Sequence, residues 1–299
     1  MVLPNGARFV VVAACVVNAF SCAASVTFNG LAMFIIKKSP SLHKPAFILL
    51  FALALTDFIT GFLVQPFFVL KMVTILRERI DLRSLWVQKL DAVLGYIRVS
   101  SIIITVLHLT AVNFDRFLAL HMKTRYRLIV TVKRAMVASV VLWIAGIGMA
   151  VVEPVNKSQK HVMAPLLVCL FLILILFIVN SRKLVRQQNA VATLRSNGQT
   201  SSSGNHQEVS GVETARYKAI LTSLKYCFGA FLISYLPFLA VNALSSRFNL
   251  FSSTSAWVVI PVVVTISLTN SAVNPVLYYW KIPVVRSEIR RLLKLSNTN

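Results

Sequence analysis

The sequence predicts an all-α membrane protein, a bundle of seven transmembrane helices followed by a short amphipathic helix. Of its 299 residues, 57% are hydrophobic and 13% are charged, which is more apolar surface than a soluble domain can cover. Seven nearly uncharged stretches occur, each of roughly the 20 residues that cross a bilayer. Since lipid offers no hydrogen-bond partners to backbone groups, these stretches are expected to be helices.

The seven stretches make up a single membrane domain over residues 1–299. They are 9–36, 45–70, 92–114, 135–152, 162–181, 219–246 and 254–280. The long connection, 182–218, has a Ser-, Gly- and Asn-rich centre that predicts a flexible linker. After the last stretch, 282–294 places apolar and basic side chains on opposite helical faces, which predicts an amphipathic helix on the membrane surface. Its apolar face consists of Ile282, Val285, Ile289, Leu292 and Leu293.

Basic residues predict the orientation in the membrane. The net charge of +22 arises mostly in alternate connections, which marks their side as cytoplasmic and disfavours a nucleic-acid partner. These basic segments are 37–44, 115–134, 182–225 and 281–294. The sequence therefore predicts a multi-pass plasma-membrane protein in contact with lipid headgroups, its N-terminus outside and its C-terminus inside. The sequon at Asn156 then lies outside the cell and predicts a glycoprotein.

Asp57 is the only charged residue of the second stretch, and it lies at mid-depth. A carboxylate inside a membrane is expected to face the bundle interior, to need partners and to mark a functional site. The third and seventh stretches offer the polar side chains Ser101, Thr105, Asn270, Ser271 and Asn274. The alternative is a polar network that only holds the helices together.

Several residues stand where one receptor family has its landmarks. "LALTD" ends at Asp57, "DRF" is close to the motif DRY, and "NPVLY" fits NPxxY. The full set is Asn29, Asp57, Asp115, Arg116, Phe117, Trp143, Pro237, Asn274, Pro275 and Tyr278. Because they occur in the expected order and stretches, the chain resembles a rhodopsin-like (class A) G-protein-coupled receptor.

The resemblance implies an allosteric sodium site. Asp57, Thr105, Asn270, Ser271 and Asn274 match the positions that bind sodium in resting receptors of this family. An oxygen-rich set that includes a carboxylate suits a hard cation. No other cofactor is implied.

The resemblance also implies a switch and its partners. Asp115 would hold Arg116 at rest, and Arg116 would then engage the terminal helix of a heterotrimeric G protein. Tyr278 would swing inward to support that state, with kinks at Pro237 and Pro275 as pivots. Arrestin and receptor kinases are the further cytoplasmic partners. Signalling is then a shift between conformations, in which the outer ligand and the inner partner favour the same one.

Some positions depart from the family pattern. The motif CWxP of the sixth stretch is SYLP here, so Tyr235 is the candidate aromatic toggle before Pro237. The fifth stretch has no Tyr, and Tyr217 stands where the sixth usually has an acidic lock, with Glu213 as a candidate substitute. Because Arg116 has fewer resting contacts, we expect appreciable ligand-free signalling.

A further departure concerns the extracellular side. Asp91 replaces the Cys that usually caps the third span, and the loop near 153–161 is short and has no Cys. This combination resembles the melanocortin part of the family. The segment "TRYRLIVTVKRA" (124–135) resembles the second intracellular loop of melanocortin and adenosine receptors.

Arg98 is the basic residue in the outer half of the third stretch. It precedes Arg116 by about five helical turns, so the two share one face. We expect it to bind a ligand that is anionic or accepts strong hydrogen bonds, of the peptide, lipid or nucleoside type. Alternatively, it pairs with Asp91 or reaches the headgroups. The alignment adds the candidate ligand contacts Phe238, Leu239, Asn242, Ile260 and Val264.

The sequence does not predict an enzyme, because it has no metal-spaced His and Cys set, no nucleophile–base pattern and no phosphate-binding Gly loop. Two alternatives to a signalling receptor stay open. An ion-coupled transporter or channel that uses Asp57 would show ion flux and, usually, internal repeats. A decoy receptor would bind its ligand without coupling to a G protein.

Overall fold

A computed structural model describes residues 4–77, 85–122, 125–156, 160–196, 226, 229–241, 253–281 and 283–292, which we call the described residues. Within them the chain is helical and contains no strand. The main helices are α1 (Asn5–Lys38), α2 (Pro45–Leu76), α3 (Leu85–Met122), α4 (Val132–Asn156), α5 (Lys160–Ser196), α6 (Gly229–Val241), α7 (Ser253–Lys281) and α8 (Pro283–Leu292). Of these, α1, α2, α3, α4 and α7 are long and apolar enough to cross a membrane.

Two helices extend into segments that the sequence predicts as loops. Helix α5 continues to Ser196, so the prediction of a flexible loop from residue 182 is wrong for 182–196. The segment after the apolar stretch contains no Pro or Gly and is rich in good helix formers, so the helix continues once it leaves the apolar region. Helix α4 likewise continues to Asn156, and the loop predicted at 153–161 begins as helix.

Helix α2 contains a local widening that changes which side chains face the interior. Pro66 has no N–H to donate to the carbonyl one turn earlier, and a π-helical turn occupies Thr60–Val64 just before it. Such a turn adds a residue and rotates the rest of the helix. At this level α2 approaches α1 closely, since a Cβ on Gly61 would lie 2.8 Å from that of Ser25. Beyond the turn, Gln65 is fully buried.

Apolar side chains fill the interior of the bundle and also cover its exterior. Apolar side chains from α1 to α7 form the core, among them Leu53, Ile103, Ile173, Phe231 and Leu268. The outer faces of the helices also carry large apolar side chains, which are exposed, including Phe20, Ile144, Phe171 and Ile233. An exposed apolar surface of this extent is covered by lipid in a membrane protein.

Helix α8 lies against the connection between α1 and α2. Val285 is buried, and one turn later the Glu288 carboxylate accepts hydrogen bonds from Ser41 Oγ at 2.8 Å and Ser39 Oγ at 2.9 Å. These two hydrogen bonds lower the pKa of Glu288 below its ordinary value, and Arg291 at 3.6 Å adds to the effect. The amphipathic helix predicted over 282–294 therefore has a polar attachment as well as an apolar one.

The crossing of α3 and α4 gives a test of the packing. A Cβ at Gly146 would lie 2.5 Å from Ile104 Cγ1, whereas a Cβ at Gly148 would meet nothing within 4 Å. We expect Gly146→Ala to lower the thermal unfolding temperature of the purified protein, because overpacking costs about 1–3 kcal/mol. Gly148→Ala should leave it unchanged or raise it slightly. Removing the clash with Ile104→Ala should restore part of the loss in the double variant, and equal effects of the two alanines would contradict this packing.

Candidate functional site

Asp57 joins three helices in the middle of the bundle. Its side chain is 2% exposed, and its Oδ2 accepts a hydrogen bond from Asn274 Nδ2 at 2.9 Å. Its backbone carbonyl accepts another from Ser25 Oγ, also at 2.9 Å. The carboxylate on α2 is therefore bound by α7, and its backbone by α1.

The other predicted sodium ligands are buried near this level, but they do not all contact Asp57. Thr105, Asn270 and Ser271 are each 1% exposed. Ser271 Oγ donates to Leu268 O within α7, and Ser271 O accepts from Asn29 Nδ2 at 2.8 Å. Of the five predicted ligands, Asn274 is the one with a described hydrogen bond to Asp57.

The amides around Asp57 leave acceptor atoms unused. The Oδ1 atoms of Asn29, Asn270 and Asn274 are buried and have no hydrogen-bond donor among the described residues. Asn270 Nδ2 is likewise buried without an acceptor among the described residues, and the Tyr235 side chain lies beside the Asn270 amide and near Asp57. Buried acceptors without donors are costly. Together with one carboxylate, they form a donor set that fits a hard cation or water.

A second polar layer lies beyond Asp57 toward the N-terminal ends of α1 and α7. Asn18 Nδ2 donates to Thr265 Oγ1 at 2.8 Å, and Gln65 Nε2 donates to Ser21 Oγ at 2.9 Å and to Leu268 O at 3.0 Å. This layer is not among the predicted sites. A signal for it exists in the sequence, because the buried polar residues of α1 are Asn18, Ser21, Ser25 and Asn29, which recur at helical spacing and share one face.

Near the C-terminal end of α3, the Asp115 carboxylate accepts hydrogen bonds from two residues. Arg116 donates to Asp115 Oδ2 through Nε at 2.9 Å and also through Nη2. The Tyr126 hydroxyl donates to Asp115 Oδ1 at 2.6 Å. Asp115 is 4% exposed and Arg116 is 8% exposed. The predicted Asp115–Arg116 pair is therefore formed and largely buried, and each carboxylate oxygen has a donor.

Tyr126 is a member of this cluster that the sequence analysis misses. It begins a one-turn helix, Tyr126–Ile129, in the connection between α3 and α4. Nothing in its local sequence points to Asp115, because the contact depends on how that connection folds back. The predicted substitutes for the acidic lock, Glu213 and Tyr217, lie outside the described residues.

Other residues of the predicted switch are placed as follows. Phe117 stacks on His121, with ring centroids 4.1 Å apart. Tyr235 is buried two residues before Pro237 in α6, and its ring centroid lies 4.5 Å from that of Phe231. Pro275 is buried within α7. Tyr278 also lies in α7, but its side chain is outside the described part of the structure.

Arg98 does not pair with Asp91. The Asp91 carboxylate is instead bound by Lys71 Nζ at 2.7 Å, in an exposed ion pair between α2 and α3. The Arg98 guanidinium lies 5.1 Å from the centroid of the Phe238 ring on α6, and its Nε is buried without a hydrogen-bond acceptor among the described residues. The structure thus brings together two predicted ligand contacts, Arg98 and Phe238.

The remaining predicted ligand contacts differ in their environment. Val264 is 2% exposed and Leu239 is half-buried. Ile260, one turn outward from Val264, is 47% exposed. Asn242 lies outside the described residues. No described contact joins Ile260 or Val264 to Arg98.

The chain was compared with models of known protein families. Residues 28–278 match the model described as 7 transmembrane receptor (rhodopsin family). The match begins within α1, ends within α7 and includes Asp57, Asp115 and Arg116. Together with the long apolar helices, it makes the chain a multi-pass membrane protein.

The Tyr126–Asp115 hydrogen bond can be tested without a ligand. We expect Tyr126→Phe to lower the thermal unfolding temperature in detergent, since a hydrogen bond to a charged group contributes about 1.5–3 kcal/mol. The matched control is Tyr96→Phe, because the Tyr96 side chain is exposed and makes no described hydrogen bond. If both variants unfold at the same temperature, Tyr126 does not support Asp115.

Proposed function

The chain belongs to the 7 transmembrane receptor (rhodopsin family), and from this premise we propose that it converts binding of an extracellular ligand into activation of a heterotrimeric G protein. Members of this family are receptors that signal through G proteins, and they are not enzymes. We further propose which residues form the switch, which kind of ligand binds and where a sodium ion binds. Each of these proposals is supported by particular side chains of the described residues.

The buried Asp115–Arg116–Tyr126 cluster carries the proposal. Arg116 holds a permanent positive charge, and its ion pair among the described residues is with the carboxylate of its own neighbour. Such a contact can be exchanged without separating two helices. We assign this end of the bundle to the cytoplasm, where Arg116 would meet the G protein, and arrestin and receptor kinases would act at the same face.

The contacts of Arg116 also bear on ligand-free signalling. Its described ion pair is the local one with Asp115, and Tyr126 donates to the opposite oxygen of that carboxylate. Tyr126 thus orients the Asp115 carboxylate. Activation then requires that the ion pair between Asp115 and Arg116 break. We propose that the resting state is held weakly enough for measurable signalling without ligand.

A G-protein dissociation panel in cells tests this function. We expect wild-type receptor to signal without ligand above mock-transfected cells, and Arg116→Ala to remove that signal at equal surface expression. The control is Arg286→Ala, which deletes an exposed positive charge on α8 and should keep most of the signal. Basal activity equal to mock cells, or activity that survives Arg116→Ala, contradicts the proposed switch.

The proposed ligand is anionic or a strong hydrogen-bond acceptor, with Arg98 as its charge partner. Two contacts support this. Lys71 forms an ion pair with Asp91, and the buried Nε of Arg98 has no acceptor among the residues that the structure describes. Phe238 under the guanidinium provides an apolar wall beside the charge. Peptide, lipid and nucleoside-like ligands of the melanocortin and adenosine branch fit this chemistry.

The proposed sodium site consists of Asp57 with Thr105, Asn270, Ser271 and Asn274. Its support is the buried carboxylate beside the amide oxygens of Asn270 and Asn274, which have no donor in the described part of the chain. These residues would hold the ion through oxygen atoms, and the bound ion would stabilise the resting arrangement of α2, α3 and α7.

Sodium dependence can be measured on the purified receptor. A ligand at ten times its dissociation constant stabilises a protein by about 1.4 kcal/mol. We therefore expect the unfolding temperature to rise by a few degrees in sodium chloride relative to potassium chloride of equal ionic strength. Asp57→Asn should abolish this difference, whereas Asp91→Asn, which removes an exposed carboxylate, should preserve it. A wild-type receptor that is insensitive to the cation would rule out the site.

A further inference from the structure

The second polar layer, formed by Asn18, Ser21, Gln65 and Thr265, contains two buried oxygen atoms without a donor. Asn18 and Gln65 are fully buried. Asn18 Oδ1 and Gln65 Oε1 accept no hydrogen bond from any residue that the structure describes. Burying such acceptors without a donor is costly, because water hydrates them in the unfolded chain. A donor bound between the helices would remove this cost.

Backbone carbonyls fix the orientation of both amides. Asn18 Nδ2 donates to Ala14 O at 2.8 Å, and Gln65 Nε2 donates to Leu268 O at 3.0 Å. A carbonyl only accepts, so exchanging the nitrogen and oxygen of either amide would place two acceptors against each other. The two atoms without a partner are therefore oxygens, and a molecule that binds both of them must donate hydrogen bonds.

The contacts of the two amides lie on adjacent turns of α1 and α7. Asn18 belongs to α1 and donates to Thr265 on α7. Gln65 reaches from α2 to Ser21 and Leu268, which lie three positions later on the same two helices. Three residues of α-helix rise about 4.5 Å. Two acceptors that share one water molecule, each about 2.8 Å from it, lie at a similar distance from each other.

The π turn of α2 brings Gln65 into this layer. Gln65 directly follows the turn over Thr60–Val64, which adds a residue and rotates the rest of the helix. The turn is itself bound to α1, because Cys22 Sγ donates to the Gly61 carbonyl at 3.2 Å. Without the extra residue, position 65 would lie on another face of α2. The local geometry of α2 therefore places the Gln65 amide between α1 and α7.

We propose that the second polar layer binds one water molecule, which joins α1, α2 and α7 independently of Asp57. The water donates one hydrogen bond to Asn18 Oδ1 and the other to Gln65 Oε1. Its oxygen accepts from the hydroxyl of Thr265, whose own oxygen is bound by Asn18 and whose hydrogen can donate. Three hydrogen bonds are typical of a buried water molecule.

The composition of the layer favours water over a cation. Its four side chains are amides and hydroxyls, and none of them carries a charge. A buried ion without a counter-charge is far more costly than a buried neutral molecule. Asp57 supplies such a counter-charge at the proposed sodium site, so the two sites differ in what they bind.

A double-mutant cycle on the purified receptor tests whether Asn18 and Gln65 share a water molecule. Asn18→Leu and Gln65→Met each replace an amide by an apolar side chain of similar size, and each leaves the oxygen of the other residue without its donor. We expect each single variant to lower the unfolding temperature by several degrees. The double variant should lose a few degrees less than the sum, because neither unpaired oxygen remains.

The matched control pair is Gln65→Met with Ser25→Ala. Ser25 lies one turn beyond Ser21 on α1, and its hydroxyl donates to the Asp57 carbonyl, outside the second polar layer. We expect the losses of this pair to add. Additive losses for Asn18→Leu and Gln65→Met, or the same departure from additivity in both pairs, overturn the inference.

Sodium and potassium salts separate this site from the proposed sodium site. In the Asp57→Asn receptor we expect equal unfolding temperatures in the two salts, with or without Gln65→Met. A sodium effect that survives Asp57→Asn and disappears with Gln65→Met would place a cation in the layer and overturn the inference. Coupling of Asn18 and Gln65 in a receptor that is insensitive to sodium would support the water site and rule out the ion site.

A structure of the wild-type receptor that resolves ordered water tests the site without any substitution. We expect one density peak within hydrogen-bond distance of both Asn18 Oδ1 and Gln65 Oε1. Separate peaks at the two oxygens, or no peak at either, overturn the inference.

Discussion

The buried carboxylate of Asp57 is the constraint on which the arrangement of the helices depends. A charge at this depth is costly unless partners inside the bundle bind it. Asn274 on α7 supplies the side-chain donor, and Ser25 on α1 binds the backbone carbonyl of the same residue. These contacts fix α1, α2 and α7 relative to one another. They also explain why α1 has a polar face, because every polar group on it meets one of the other two helices.

Hydrogen-bond donors are few inside the described part of the bundle, so specific acceptor atoms there have no donor. The buried carboxylates of Asp57 and Asp115 each accept a side-chain hydrogen bond, whereas several buried amide oxygens have no donor among the described residues. Amide oxygens cost less to bury alone than a carboxylate does, and they can accept an ion or a water molecule. A bundle built in this way has unused acceptors beside Asp57 that allow an alternative set of polar contacts. A ligand and a G protein can then favour the same alternative.

Long-range contacts were predictable from the sequence where a costly residue required a partner. The mid-depth carboxylate of Asp57 pointed to α7, and the contact with Asn274 is present. The adjacent Asp115 and Arg116 needed no knowledge of the fold to be paired. Tyr126 was not predictable, because its hydroxyl meets Asp115 only after the connection between α3 and α4 turns back. Gln65 was missed for a different reason, since the π turn rotates it into the interior.

The most direct test of the Asp115–Arg116 switch is a structure of the receptor bound to a nucleotide-free heterotrimeric G protein. Its resolution must show the Arg116 side chain. If Asp115–Arg116 is the switch, the guanidinium has left Asp115 in this complex and lies beneath the terminal helix of the G protein. Tyr126 should still bind Asp115, which then has a single partner. A complex in which Arg116 remains on Asp115 would contradict the claim that this pair is the switch.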